Sequence, residues 1–223
     1  AVADKATSPS AAPTASGQPT TEKPDIFSLV GTQLLYANGQ AQRFQIIDVA
    51  EPSKPRLAGW TKLAGSPLEL YVRDPYYVLL QTDYTSSEAG THLTVLSNGA
   101  DGKLTTVQDL PLSGAFLQSR RRGDFIYTVT SSYQPILPSV ECPENCGSQS
   151  VVVVHAIQMQ RTGQLVEVDK AQLPGYSPNI AIFPDHLVVA NTDPTNWIDT
   201  QIAIFDLSQA DGKLVALPVL KVP

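Results

Sequence analysis

The 223 residues carry a net charge of −6 and a pI near 5.0, with 42% hydrophobic and 16% charged residues. That length suits one large all-β domain or two small ones, with enough apolar residues for a real core. The acidic balance disfavours nucleic acid, because a phosphate-binding surface normally shows a basic excess. No apolar run approaches the roughly 20 residues of a membrane helix.

The chain opens AVADKATSPSAAPTASGQPTTEKP. This stretch has almost no bulky apolar side chains and cannot bury enough surface to offset chain entropy. Residues 1–23 are therefore expected to form a disordered Ser/Thr/Pro-rich linker. Mature secreted proteins often begin this way once a signal has been removed; the plainer reading is a chain cut at an arbitrary residue. Cys142 and Cys146 add support for an oxidising, extracytoplasmic location.

From Asp25 a four-strand plan recurs, its strands labelled a to d. In the first unit a is Ile26–Val30, b Leu34–Asn38, c Phe44–Asp48 and d Arg56–Leu63. The second has a at Leu68–Val72, b at Tyr77–Gln81, c at Leu93–Ser97 and d from Leu104. In the third, a is Ala115–Ser119, b Phe125–Val129, c Val151–His155, and d starts near Leu165. The fourth has a at Ile180–Phe183, b at Leu187–Asn191, c at Ile202–Asp206 and d from Leu214. Matching c-strand positions Ile46, Val95, Val153 and Ile204 are offset by 49, 58 and 51 residues. The c–d turns correspond as well: Ser53-Lys54-Pro55, Asp101-Gly102-Lys103, Thr162-Gly163-Gln164 and Asp211-Gly212-Lys213. Asp-Gly is a strong tight-hairpin signal, and the β-branched and aromatic content of each segment suits strands. A period of about 40–60 residues with four strands per unit predicts an all-β chain of β-propeller blades. The blades span about 25–63, 67–110, 115–172 and 178–221 within residues 24–223. A stacked sandwich is the rival, weaker because it needs no repeated internal order. Four blades suggest part of a larger propeller, with further blades or a second copy completing the ring.

Lys23-Pro24-Asp25-Ile26, then Leu34-Leu35-Tyr36, FQIID, PLELYV and the closing PVLKVP resemble the secreted bacterial and archaeal β-propeller-domain proteins. FQIIDVAEPSKP is similar to the short LVIVD-type propeller repeat. The resemblance covers roughly Lys23 to Pro223 and implies an extracytoplasmic propeller. Its motifs are structural, so it carries over no catalytic or binding residue.

Three b–c connections are long: Thr82–His92, Thr130–Ser150 and Thr192–Thr200. In a propeller these emerge on one face, and loops on a rigid scaffold are where binding usually resides. Asp83, Tyr84, Tyr133, Asn196 and Trp197 are the binding candidates on that face. Asp193, Asn196 and Asp199 bring oxygen donors three residues apart, which would suit calcium. The alternation of an EF-hand is absent, so ordinary turn residues are the simpler reading and no cofactor is expected. Cys142 and Cys146 would close a small disulfide ring within the longest loop. His155 reads as buried structure, and Arg120-Arg121-Arg122 as a solvated a–b turn before Gly123. No Gly-X-Ser-X-Gly elbow or phosphate loop occurs.

The expectation is a secreted or cell-surface module, not an enzyme, that binds a protein or glycan through its b–c loops. One alternative is an extracytoplasmic enzyme with Glu69, Gln118 and Asn179 at a channel mouth, metal-assisted or not. The other is a structural subunit polymerising through blade edges.

Overall fold

The computed structural model describes residues 21–83, 90–99, 102–135, 148–193 and 198–222. No helix occurs among them. A two-residue strand, β1 (Thr21–Glu22), precedes four antiparallel sheets taken in chain order. Sheet one is β2 (Phe27–Val30), β3 (Gln33–Asn38), β4 (Arg43–Asp48) and β5 (Arg56–Lys62). Sheet two is β6 (Ser66–Arg73), β7 (Tyr76–Asp83), β8 (Gly90–Asn98) and β9 (Leu104–Leu112). Sheet three is β10 (Ala115–Arg122), β11 (Phe125–Pro135), β12 (Ser148–Met159) and β13 (Leu165–Pro174). Sheet four is β14 (Tyr176–Ile182), β15 (His186–Thr192) and β16 (Thr200–Asp206), whose far edge is shared by β17 (Val215–Ala216) and β18 (Leu220–Val222).

Each sheet is a meander in the expected a-b-c-d order, and the four form no closed ring. The c–d turns also fall as expected, with Gly102, Gly163 and Gly212 at φ 74, 81 and 78°. The fourth d strand is split: Leu214 lies outside it, and the ladder breaks after Leu217, whose amide still bonds the Ile204 carbonyl (2.8 Å). Pro218 has no N–H to donate to the ladder.

Alternation in strands b and c sets the packing. Neighbouring side chains point to opposite faces of a sheet, so Leu79 and Leu80 are both fully buried but in different cores. One core joins sheets one and two, around Leu35, Phe44, Ile46, Leu70, Leu79 and Leu96. The next joins sheets two and three, around Tyr71, Leu80, Leu93, Val95, Ile126 and Ile157. The third joins sheets three and four, around Tyr127, Val129, Val152, Val154, Val189 and Phe205. Full burial of one such side chain contributes about 1.5–3 kcal/mol, so stacking is the main source of stability.

Polar clips fix the stack at its rims. At the a–b end, Arg73 of sheet two donates to the Met159 carbonyl and pairs with Asp124 (2.9 Å) in sheet three. Arg121 reaches back to the Val72 carbonyl (2.8 Å), and Arg122 forward to the Pro184 carbonyl. The arginine run is therefore the end of β10 and not a solvated turn; Arg122 is buried. The guanidinium groups of Arg121 and Arg122 satisfy carbonyls of neighbouring sheets, and that of Arg120 bonds the Ser119 carbonyl of its own strand (2.7 Å).

At the b–c end one motif recurs. Gly65, Gly114 and Gly175 sit in the connections that enter sheets two, three and four. Sixteen residues later come Gln81, Thr130 and Asn191, all buried in strand b. Gln81 accepts from the Gly65 amide (3.2 Å), Thr130 donates to the Ser113 carbonyl (2.6 Å), and Asn191 donates to the Pro174 carbonyl (2.7 Å). A Cβ on the glycines would run into the carbonyl oxygens of Thr82, Ser131 and Thr192 respectively. Each entering connection is thus pinned to its own sheet at a place where only glycine fits.

The first described residues lead into sheet one along the a strands of sheets three and two. Thr21 and Glu22 pair with Arg122 and Arg121 on β10, and the Leu70 amide bonds the Asp25 carbonyl (2.8 Å). This segment therefore spans the free a-strand edges of sheets two and three before entering sheet one.

Gly114→Ala should lower stability by about 1–3 kcal/mol, since φ is 90° and the carbonyl of Ser131 blocks the new methyl. Gly39→Ala, whose nearest neighbour is Pro67 at 3.7 Å, should change it little. Urea denaturation midpoints of the two variants compare them directly.

Candidate functional site

The candidate site is a recess of about 100 Å³ at the b–c end of sheet two, beside the connection that enters it from sheet one. The connection Ala64-Gly65 forms one wall; Gln81 and Asp83 from β7, His92 and Thr94 from β8 and Asp109 from β9 form the rest. Register brings these groups together. Gln81 lies opposite His92, and Thr94 opposite Asp109, so alternation turns all four toward sheet one.

A single hydrogen-bond relay organises the wall. The Gly65 amide donates to Gln81 Oε1, and Gln81 Nε2 donates to Thr94 Oγ1 (2.7 Å). Thr94 in turn donates to Asp109 Oδ1 (2.7 Å). His92 Nδ1 lies 3.0 Å from Asp109 Oδ2. The Asp109 carboxylate thereby fixes the orientation of the imidazole, with Nε2 lying beside Gly90. Gly90 makes room for the ring, since a Cβ there would come within 3.1 Å of Nε2. The recess thus presents two carboxylates and an imidazole on a pinned frame, suited to a ligand rich in N–H or O–H donors.

A second polar cluster lies in sheet three. His155 Nδ1 is 2.6 Å from Glu167 Oε1, and Nε2 is 3.1 Å from Thr130 Oγ1. The Thr130 hydroxyl already donates to the Ser113 carbonyl, so toward His155 it can only accept. It is therefore not an activated nucleophile. His155 is buried, as expected, and braces the entering connection.

The third cluster runs along the a strands, where Glu69, Gln118 and Asn179 were expected at a channel mouth. Gln118 Nε2 bonds the Pro178 carbonyl (3.2 Å) and Asn179 Oδ1 (3.5 Å). The Glu69 carboxylate accepts from the Ser119 hydroxyl, which accepts in turn from the Tyr71 phenol (2.6 Å). Burial pushes the Glu69 carboxyl up to about 7, against the lowering effects of the Ser119 bond and of Arg120. Burial, with Glu69 beside it, also pushes Tyr71 well above its ordinary range. Ser119 and Tyr71 are fully buried, so the cluster can hold a proton but offers no accessible nucleophile.

Of the binding residues expected from sequence, Asp83 lines the recess. Tyr133 is the most exposed described residue of β11, at 73%. Both lie in strands rather than loops: β7–β8 pair out to Asp83↔Gly90 and β11–β12 to Pro135↔Ser148. Asp193 is 1% exposed, its Oδ2 held 2.7 Å from Lys221 Nζ and its amide bonded to the Asp199 carbonyl (2.8 Å). Among the described residues no group of three or more His, Cys, Asp or Glu is placed to hold a metal ion. Tyr84, Asn196, Trp197, Cys142 and Cys146 lie outside the described residues.

Sequence reading missed His92, Asp109 and the Tyr71–Ser119–Glu69 relay. The signal within reach was glycine followed sixteen residues later by Gln, Thr or Asn and then Thr or Ser, three times over. No protein-family model matches the chain, and no curated protein matches it in a sequence search.

Glu69 makes stability pH-dependent in a definite sense. The unfolded chain releases this proton near 4.5 and the folded chain near 7, so between those values the folded state binds more protons. Stability should fall as pH rises from about 4.5 to about 7. Glu69→Gln should remove that component, so its melting temperature should gain on the parent's across this range and run parallel above it. Identical pH profiles for the two proteins would contradict the assignment.

Proposed function

We propose that the chain is a sector of a β-propeller acting outside the cytoplasm as a non-catalytic binding module, with its recognition surface at the b–c end. The observation that carries this reading is the recess of Asp83, His92 and Asp109, built at that end on a pinned hydrogen-bond frame. Tyr133, and Ile198 at 81% exposure, add large apolar groups at the b–c ends of sheets three and four. Carboxylates and an imidazole for polar hydroxyls, beside exposed aromatic and aliphatic groups, suit a glycan or the surface of a protein. The blade reading is supported by four consecutive meanders, each stacked through apolar faces on the next. The extracytoplasmic reading rests on the close cysteine pair Cys142 and Cys146. Among the described residues no helix is long and apolar enough to cross a membrane.

The test is a screen of the intact chain against glycan and peptide arrays, followed by titration of any hit. Asp83→Ala and Tyr133→Ala should each weaken binding about tenfold, the effect of losing about 1.4 kcal/mol. Lys54→Ala, in the c–d turn of sheet one, should leave affinity unchanged. Binding that responds to Lys54 and ignores Asp83 and Tyr133 would move the recognition surface to the opposite end.

A further inference from the structure

Sheets two and three are covered on both faces, whereas sheets one and four are each covered on only one by described residues. The uncovered faces are apolar. On sheet one, Leu35, Ala37, Phe44 and Ile46 turn toward sheet two. Alternation and register therefore place Leu34, Tyr36 and Ile47 on the outside, with Phe27, Leu29, Leu57 and Trp60 paired beside them. Phe27, Leu29, Leu57 and Trp60 are 52%, 64%, 54% and 49% exposed. Arg43 lies over the Trp60 ring at 4.3 Å. On sheet four, Leu187, Val189, Ala203 and Phe205 turn toward sheet three, leaving Val188, Ala190, Ile202 and Ile204 outside. Leu220, paired with Ile202, extends that outer face. Phe183, Val188, Ile204 and Leu217 help line a groove of about 420 Å³ on it.

These two faces stand in the same relation as those already packed together. The face that a sheet turns to its successor carries two residues from strand b and two from strand c: Leu35, Ala37, Phe44 and Ile46 in sheet one, and Val78, Leu80, Leu93 and Val95 in sheet two. Val188, Ala190, Ile202 and Ile204 occupy those positions in sheet four. The face turned to the predecessor carries Tyr77, Leu79 and Leu96 in sheet two. Leu34, Tyr36 and Ile47 hold the corresponding places in sheet one. Asn38 likewise corresponds to the pegs Gln81, Thr130 and Asn191, but its Oδ1 caps the Ala41 amide of its own turn (2.9 Å).

We propose that sheet four of one chain docks on sheet one of a second copy, head to tail, by the same stacking that joins sheets within the chain. Leu34, Ile47 and Leu57 of the incoming sheet then enter the groove beside Val188, Ile204 and Leu217. The interface continues an established one, and its apolar faces are of the kind that soluble monomers rarely leave open. Because the two faces differ, the contact is heterologous: two chains close on each other if the rotation per sheet permits, and otherwise the array runs on. The proposal rests on stacking and not on the b–c end, so failure to bind a glycan or peptide leaves it untouched.

Light scattering on the intact chain should give at least twice the 24.0 kDa of one protomer. Leu29→Glu spoils only the sheet-one face and Leu220→Glu only the sheet-four face, both at sites exposed in the single chain. Each variant alone should be a folded monomer with the parent's circular dichroism. An equimolar mixture should form a 1:1 dimer through the two intact faces. A parent chain that stays monomeric at high micromolar concentration overturns the proposal. So does a Leu220→Glu variant that still dimerises alone, since that would mean sheet one pairs with its own kind.

Discussion

Each of the four described sheets has two apolar faces, and such a sheet gains stability from every face that a neighbour covers. An antiparallel sheet with one wet face would alternate apolar and polar residues. Here strands b and c are apolar at successive positions, as in Val78-Leu79-Leu80 and Val151-Val152-Val153-Val154. The only way to bury both sets is to place a sheet on each side. Stacking in chain order follows from the short connections, because each sheet can reach only the next within the few residues between its d strand and the following a strand.

The polar residues occupy the positions that stacking leaves to them. Carbonyls at the sheet ends lose water as the sheets close and must be satisfied. Arg73, Arg121 and Arg122 meet that need at one end and Thr130 and Asn191 at the other, where Gln81 satisfies the Gly65 amide instead. The recess at Asp83 and His92 grows from the same frame: the Gln81 side chain that pins Gly65 is also the first member of the relay to Asp109. The pinning of the entering connection and the polar wall of the recess are thus one network.

The tightest polar clusters hold position. His155 is locked between Glu167 and Thr130 beneath the surface, and Ser119 lies between Tyr71 and Glu69. In both, the hydroxyl proton is already committed to an oxygen acceptor. Among the described residues, Tyr133 and Ile198 are exposed at the b–c rim, where the recess also lies.

Sequence alone determined the all-β class, the four repeats, their strand order and most strand positions, since period-two alternation and Gly turns act within a few residues. It also placed Asp83 and Tyr133 at the b–c end. Tertiary structure decided which residues meet. Gln81, Thr94 and Asp109 belong to three strands, and Glu69 and Ser119 are fifty residues apart in two sheets. Their partnership depends on register and on the way one sheet lies over the next, neither of which leaves a local trace. The arginines show the same limit: a charged run before Gly123 reads as a solvated turn until the neighbouring sheets supply the carbonyls that bury it. Local periodicity encodes the strands; long-range packing assigns the partners.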